Sequence, residues 1–79
     1  MPRYYFHLRN DLDVPDEEGC ELPDLAAARD HAIVNVRFEA AESIREKGKL
    51  ALDHRIDIAD GDGTILHTIR FSDVVRVEH

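Results

Sequence analysis

Between Asp24 and Gly48 the apolar residues recur with the period of a helix. At about 100° per residue, Leu25, Ala32, Ile33, Val36, Ala40, Ser43 and Ile44 share a sector about 120° wide, with Ala28 at its border. That is the face for burial on a sheet. Arg29 and Lys47 also fall in this sector, near its ends, where a long stem packs and the charge reaches water. Asp24 is placed to accept backbone N–H groups of the first turn, directly after Pro23. Gly48 follows Arg45, Glu46 and Lys47. A glycine there takes the left-handed backbone that closes a helix, and the late basic residues suit its carbonyl end.

A second stripe, Ala27, Val34, Phe38 and Ala41, lies within about 60° and nearly opposite the first. One helix on one sheet leaves that side in water. Scattered surface apolar residues, or a terminal segment laid over them, would account for it. So would a helix-to-helix dimer seam or another protein contact, which adds burial to a thin core. Phe38 would anchor such a contact, with His31, Arg37, Glu42 and Arg45 at its rim.

The flanking segments alternate with period two. Arg3 to Arg9 reads as a strand with Tyr4, Phe6 and Leu8 toward the helix and Arg3, Tyr5, His7 and Arg9 on the open face. Leu12 and Val14 suit a short edge strand ended by Pro15, and Cys20 to Leu22 a brief extension beside the first strand. After a connector in which Leu50 or Leu52 plugs the core, Arg55 to Ala59 reads as a strand with Ile56 and Ile58 inward and Asp57 outward. Asp60-Gly61-Asp62-Gly63 reads as a tight turn. Thr64 to Phe71 then pairs back with Ile65, Ile69 and Phe71 inward and His67 partly buried. Ser72 and Asp73 start a turn or short helix, and Val75 and Val77 tack down the tail.

The expectation is one α+β domain over residues 1–79. A small antiparallel sheet, in β-β-α-β-β order, is covered on one face by one long helix. Strand order across the helix is left open, although a continuous sheet would set the first strand beside one from the second hairpin.

Composition narrows the function classes. The formal charge is −7, and seven of the seventeen acids lie between Asp11 and Asp24. That disfavours non-specific nucleic-acid binding and leaves room for a basic partner. The single cysteine, Cys20, excludes an intramolecular disulfide framework and leans toward a reducing compartment. The opening MPRYYFHLRND lacks an apolar signal core, and no stretch approaches membrane-spanning length, so the cytoplasm is the expected location.

Candidate chemistry is sparse. No G-x-S-x-G, H-E-x-x-H, C-x-x-C or phosphate-binding glycine loop occurs, and the five histidines lack metal-ligand spacing. The acids from Asp11 to Glu18, and the D-G-D-G turn, lack the ligand pattern of a calcium loop. No metal, cofactor or catalytic residue is assigned, and a non-enzymatic role is expected. Two surfaces remain. The helix stripe Ala27, Val34, Phe38 and Ala41 would serve a homodimer or an unidentified protein partner. The open sheet face carries Tyr5, His7, Arg9 and Arg70, groups that stack a base or clasp an anion. An ordinary outer sheet face would carry them equally well.

The segments M-P-R-Y-Y-F-H-L-R, D-E-E-G-C-E-L-P-D-L-A-A-A-R, D-G-D-G-T-I-L and F-S-D-V span nearly the whole chain. Together they resemble a family of small uncharacterised alphaproteobacterial proteins, a rhizobial-type domain of unknown function. Tyr4, Tyr5, Phe6, Gly19, Glu21, Leu22, Asp24, Leu25, Ala28, Arg29 and Phe71 stand in its recurrent places. Asn10-Asp11 replaces the family's frequent Asp-Gly. Val34 and Phe38 stand where members often carry alanine or polar groups. The resemblance implies a bacterial cytoplasmic protein with these boundaries and supplies no mechanism.

Overall fold

The computed structural model describes residues 1–10 and 13–78. The elements run β1 (Arg3–Arg9), β2 (Asp13–Val14), β3 (Cys20–Glu21), α1 (Leu25–Lys47), β4 (Arg55–Ala59), β5 (Ile65–Arg70) and α2 (Phe71–Val74). All strand pairs are antiparallel, in the order β2-β1-β4-β5, and β3 also pairs with β1. The first strand therefore sits beside β4, and the sheet is continuous across the helix. The expected Leu12 to Val14 strand is seen at Asp13–Val14, while Leu12 lies outside the described residues. No described helix is long and apolar enough to cross a membrane.

The ends of α1 follow from its caps. The Asp24 backbone is extended, and its Oδ1 accepts the Ala27 N–H at 2.9 Å. Gly48 takes the left-handed conformation, φ 67°, and its N–H reaches the Ile44 carbonyl at 2.9 Å. The helix buries Ala28, Ala32, Val36 and Ala40, one residue per turn. Three of the four are alanine, so the helix backbone can approach Ile56, Ile58 and Ile69 closely. Tyr4 and Phe71 complete this core, with Phe6, Leu8, Leu22, Leu25, Ile33 and Leu50 packed around it. The helix-facing set Tyr4, Phe6 and Leu8 is thus seen as expected, and Leu50 rather than Leu52 closes the core's end.

Three inward assignments need correction. Ala28, expected at the sector's border, is fully buried, whereas Ile44 is 51% exposed. A helix of 23 residues is roughly 35 Å long. A seven-residue strand spans about 23 Å. The last turns of α1 consequently overhang the sheet. Ile65 is 46% exposed because the register shifts at Ile58/Ala59, which sets Ile65 opposite Ala59 instead of in the core. Phe71 is buried as expected, but as the first residue of α2. Its N–H donates to the His54 carbonyl at 2.9 Å, and the Ser72 N–H donates to the Leu52 carbonyl at 3.2 Å, so α2 is stitched to the connector.

The Asp16 carboxylate ties segment 15–19 to β1 and to itself. Asp16 Oδ2 accepts the Phe6 N–H, and its Oδ1 accepts the Glu18 and Gly19 N–H groups, all at 3.1 Å. Gly19 has φ 70°, and a Cβ there would stand 2.9 Å from the Tyr4 carbonyl oxygen and 2.8 Å from Arg3 Cγ. Only glycine satisfies both the backbone angle and that approach. The acid-rich stretch is therefore folded onto β1 by its own chemistry. In the β4–β5 turn, Asp60 Oδ1 likewise accepts the Asp62 and Thr64 N–H groups, at 2.9 and 3.0 Å.

Candidate functional site

Helical geometry that turns Ala28, Ala32, Val36 and Ala40 toward the sheet turns Val34, Phe38 and Ala41 away from it. Val34 is 64% exposed and Phe38 62%. Ala41 is exposed and Ala27 half-buried. Residues 75–78 run near Ile33 and Arg37, where they border a shallow hollow, and leave Val34 and Phe38 in water. Among the rim residues, Arg37 is exposed. Arg45 pairs with Glu42 of its own helix at 2.6 Å. His31 departs from the expected rim. Its ring lies 4.7 Å from that of Phe6, on the sheet side of the helix.

On the open sheet face the register builds rows across three strands. His7 stands opposite Asp57, which stands opposite Thr68. Arg9 stands opposite Arg55, which stands opposite Arg70. Tyr5 stands opposite Ala59. The four sequence candidates on this face are therefore split. Segment 15–19 engages the Tyr5 and His7 end. The Asp16 N–H donates to His7 Nδ1 at 2.9 Å, and Gly19 packs beside the Tyr5 ring. An acceptor at Nδ1 places the ring proton on Nε2. Arg9 and Arg70 lie at the other end, joined there by Arg55.

Asp57 organises that end. It points outward as expected, yet it is only 7% exposed. Its Oδ2 accepts from Arg9 Nε at 3.1 Å, and its Oδ1 accepts from the Thr68 hydroxyl at 2.8 Å. Arg55 Nε lies 3.5 Å from the same Oδ1. Burial by itself would raise the Asp57 pKa, but the Thr68 hydroxyl, Arg9 and Arg55 together outweigh it and hold the carboxyl below its ordinary value. At Asp16, burial likewise pushes upward, and the N–H donors of Gly19, Phe6 and Glu18 with the nearby His7 bring the net shift below the ordinary value.

Arg55 and Asp57 were not singled out from sequence. Alternation from the inward Ile56 and Ile58 places both on the open face, so that much of the signal was present. Their meeting with Arg9 depends on the β1–β4 pairing, which no local pattern encodes. Cys20 is half-buried, opposite Tyr4. Among the described residues no three histidine, cysteine, aspartate or glutamate side chains converge on a metal-sized site. A partly enclosed surface hollow of about 120 Å³ lies between Ala40, Leu50 and Phe71, under Glu39, Glu42 and Glu46.

The sequence model of a family described as a domain of unknown function (DUF6894) matches residues 3–72. The chain belongs to the DUF6894 family. The matched span takes in all five strands, α1 and the first two residues of α2. Both surfaces described above thus lie within the DUF6894 span. The description of DUF6894 assigns no activity. No curated protein and no solved structure matches the chain.

Proposed function

We propose that the protein is a small non-enzymatic interaction module that self-associates through the outer face of α1. The observation that carries this reading is the pair Val34 and Phe38. Two large apolar side chains one helical turn apart stay more than half exposed after the sheet and the C-terminal segment are in place. Among the described residues, no other segment of the chain covers them. The stripe from Ala27 to Ala41 extends about 21 Å along the helix. A contact of that length is at the small end of specific interfaces, so micromolar association is expected.

Charge favours a second copy as the occupant. In an antiparallel pairing that sets Val34 over Ala41 of the second copy, Asp30 meets Arg45 of that copy. Phe38 then lies beside the two-fold axis. The contact is self-complementary, as a two-fold dimer requires.

The melting temperature of a dimer rises with concentration. The wild-type chain should show that rise, and Phe38→Asp should abolish it without changing the fold seen by circular dichroism. Arg45→Asp should weaken it, and Asp30→Arg added to Arg45→Asp should restore it. A melting temperature independent of concentration in the wild type would rule out self-association. Failure of the charge exchange alone would rule out the antiparallel register.

A further inference from the structure

We infer that the row Arg9, Arg55 and Arg70 binds a small phosphate-bearing ligand, independently of any contact through α1. The register sets three arginines in one row across β1, β4 and β5 on the open face. Adjacent strands lie about 4.8 Å apart, close enough for neighbouring guanidiniums to share one tetrahedral anion. Like charges at that spacing repel, and one buried carboxylate, Asp57, pairs with two of them, Arg9 and Arg55.

The way Asp57 is used matters. Arg9 and Arg55 both meet it through Nε. Among the described residues, the other ion pair of Arg9 is Nη1 with Asp13 at 3.7 Å. Among the described residues no acceptor takes the terminal nitrogens of Arg55, and no carboxylate lies within ion-pairing distance of Arg70. Asp57 therefore holds Arg9 and Arg55 by their necks and leaves donors for an external acceptor. Phosphate oxygens match such donors, and a guanidinium held in advance loses less entropy on binding.

The surroundings set the ligand class. Arg55, Arg70, Thr68 and Ser72 line one shallow hollow together with Asp53 and Asp73. Asp73 Oδ2 accepts the Arg70 backbone N–H at 3.2 Å. Those two acids, and a chain charge of −7, repel an extended polyanion. A single dianionic group seated between guanidiniums meets far less of that field. The ligand is accordingly a small phosphate or phosphate monoester rather than a nucleic acid.

The test is titration of the ¹⁵N-labelled chain at low salt, with inorganic phosphate and with glycerol 3-phosphate. Saturable shifts confined to the amides of Arg9, Arg55 and residues 68–72 are expected. Phosphate binding equal to or tighter than the ester points to the free anion, and tighter ester binding points to a monoester. Arg70→Ala, which removes a side chain without an ion pair among the described residues, should weaken binding at least about tenfold, the loss of one charge-assisted contact. Asp73→Asn should tighten it. Absence of saturable shifts at about 20 mM of both probes, where even millimolar affinity saturates, would overturn the proposal. So would equal shifts around Arg3 and Arg37, or an unchanged affinity in Arg70→Ala.

Discussion

Asp57→Asn should destabilise the protein at neutral pH, and the loss should disappear in acid. The carboxylate takes a charge-assisted bond from Arg9 and a hydroxyl bond from Thr68, with Arg55 beside it, in a setting almost closed to water. An amide keeps one acceptor oxygen and loses the charge, leaving Arg9 and Arg55 without the carboxylate they share. Breaking such a pair on one side costs about 2–4 kcal/mol. In a domain of this size about 1 kcal/mol moves the melting temperature by roughly 4–8 °C, so a drop of about 10–25 °C is expected. The pH dependence gives the sharper check. The folded Asp57 pKa lies below its ordinary value of 3.8. A carboxyl with a lower pKa in the folded than in the unfolded state stabilises fully above the unfolded value. That contribution is lost as the pH falls through the folded value. The gap between wild type and Asp57→Asn, read from urea unfolding across pH, should therefore be complete at pH 7 and narrow below about pH 4. A gap below about 1 kcal/mol at pH 7 would refute the role given to Asp57. A gap unchanged in strong acid would show that the lost term is packing rather than charge.

Two further outcomes probe the segment folded on β1. Gly19→Ala combines a left-handed backbone angle with a Cβ driven to 2.9 Å from the Tyr4 carbonyl, which cannot move aside. A loss of about 2–4 kcal/mol is expected in chemical unfolding, and one under about 1 kcal/mol would contradict the close approach. Asp16→Ala strips the acceptor from three backbone N–H groups. It should cost about 1–3 kcal/mol and speed amide exchange at Phe6 and Gly19, and unchanged exchange there would count against the anchoring. Because the folded Asp16 pKa is also lowered, this cost too should fade as the pH drops below about 4.

Local chemistry carried much of the fold into the sequence. Asp24 and Gly48 bracket α1 by mechanisms that act within one turn, and the structure ends the helix at both. Alternation in Arg3 to Arg9 and Arg55 to Ala59 assigned the inner and outer faces, because pleating makes that choice residue by residue. Features made by distant segments were not legible. The shift at Ile58/Ala59 that exposes Ile65 is a tertiary adjustment of the hairpin. The Asp16 anchor joins an acid to a strand ten residues away, and its neighbours Asp13, Glu17 and Glu18 look the same in sequence. His31 meets Phe6 through a long-range ring contact that the helical wheel alone does not contain. The arginine row exists only because β1 lies beside β4, so Arg9 and Arg70 were legible as open-face cations and Arg55 completed them only in three dimensions.

Self-association through Phe38 and Val34 is tested most directly by sedimentation equilibrium of the wild-type chain from low to high micromolar concentration. The predicted result is a weight-average mass that climbs from the 9.0 kDa of one chain toward twice that value, and that stays at one chain in Phe38→Asp. A wild-type chain that remains at 9.0 kDa throughout would contradict it.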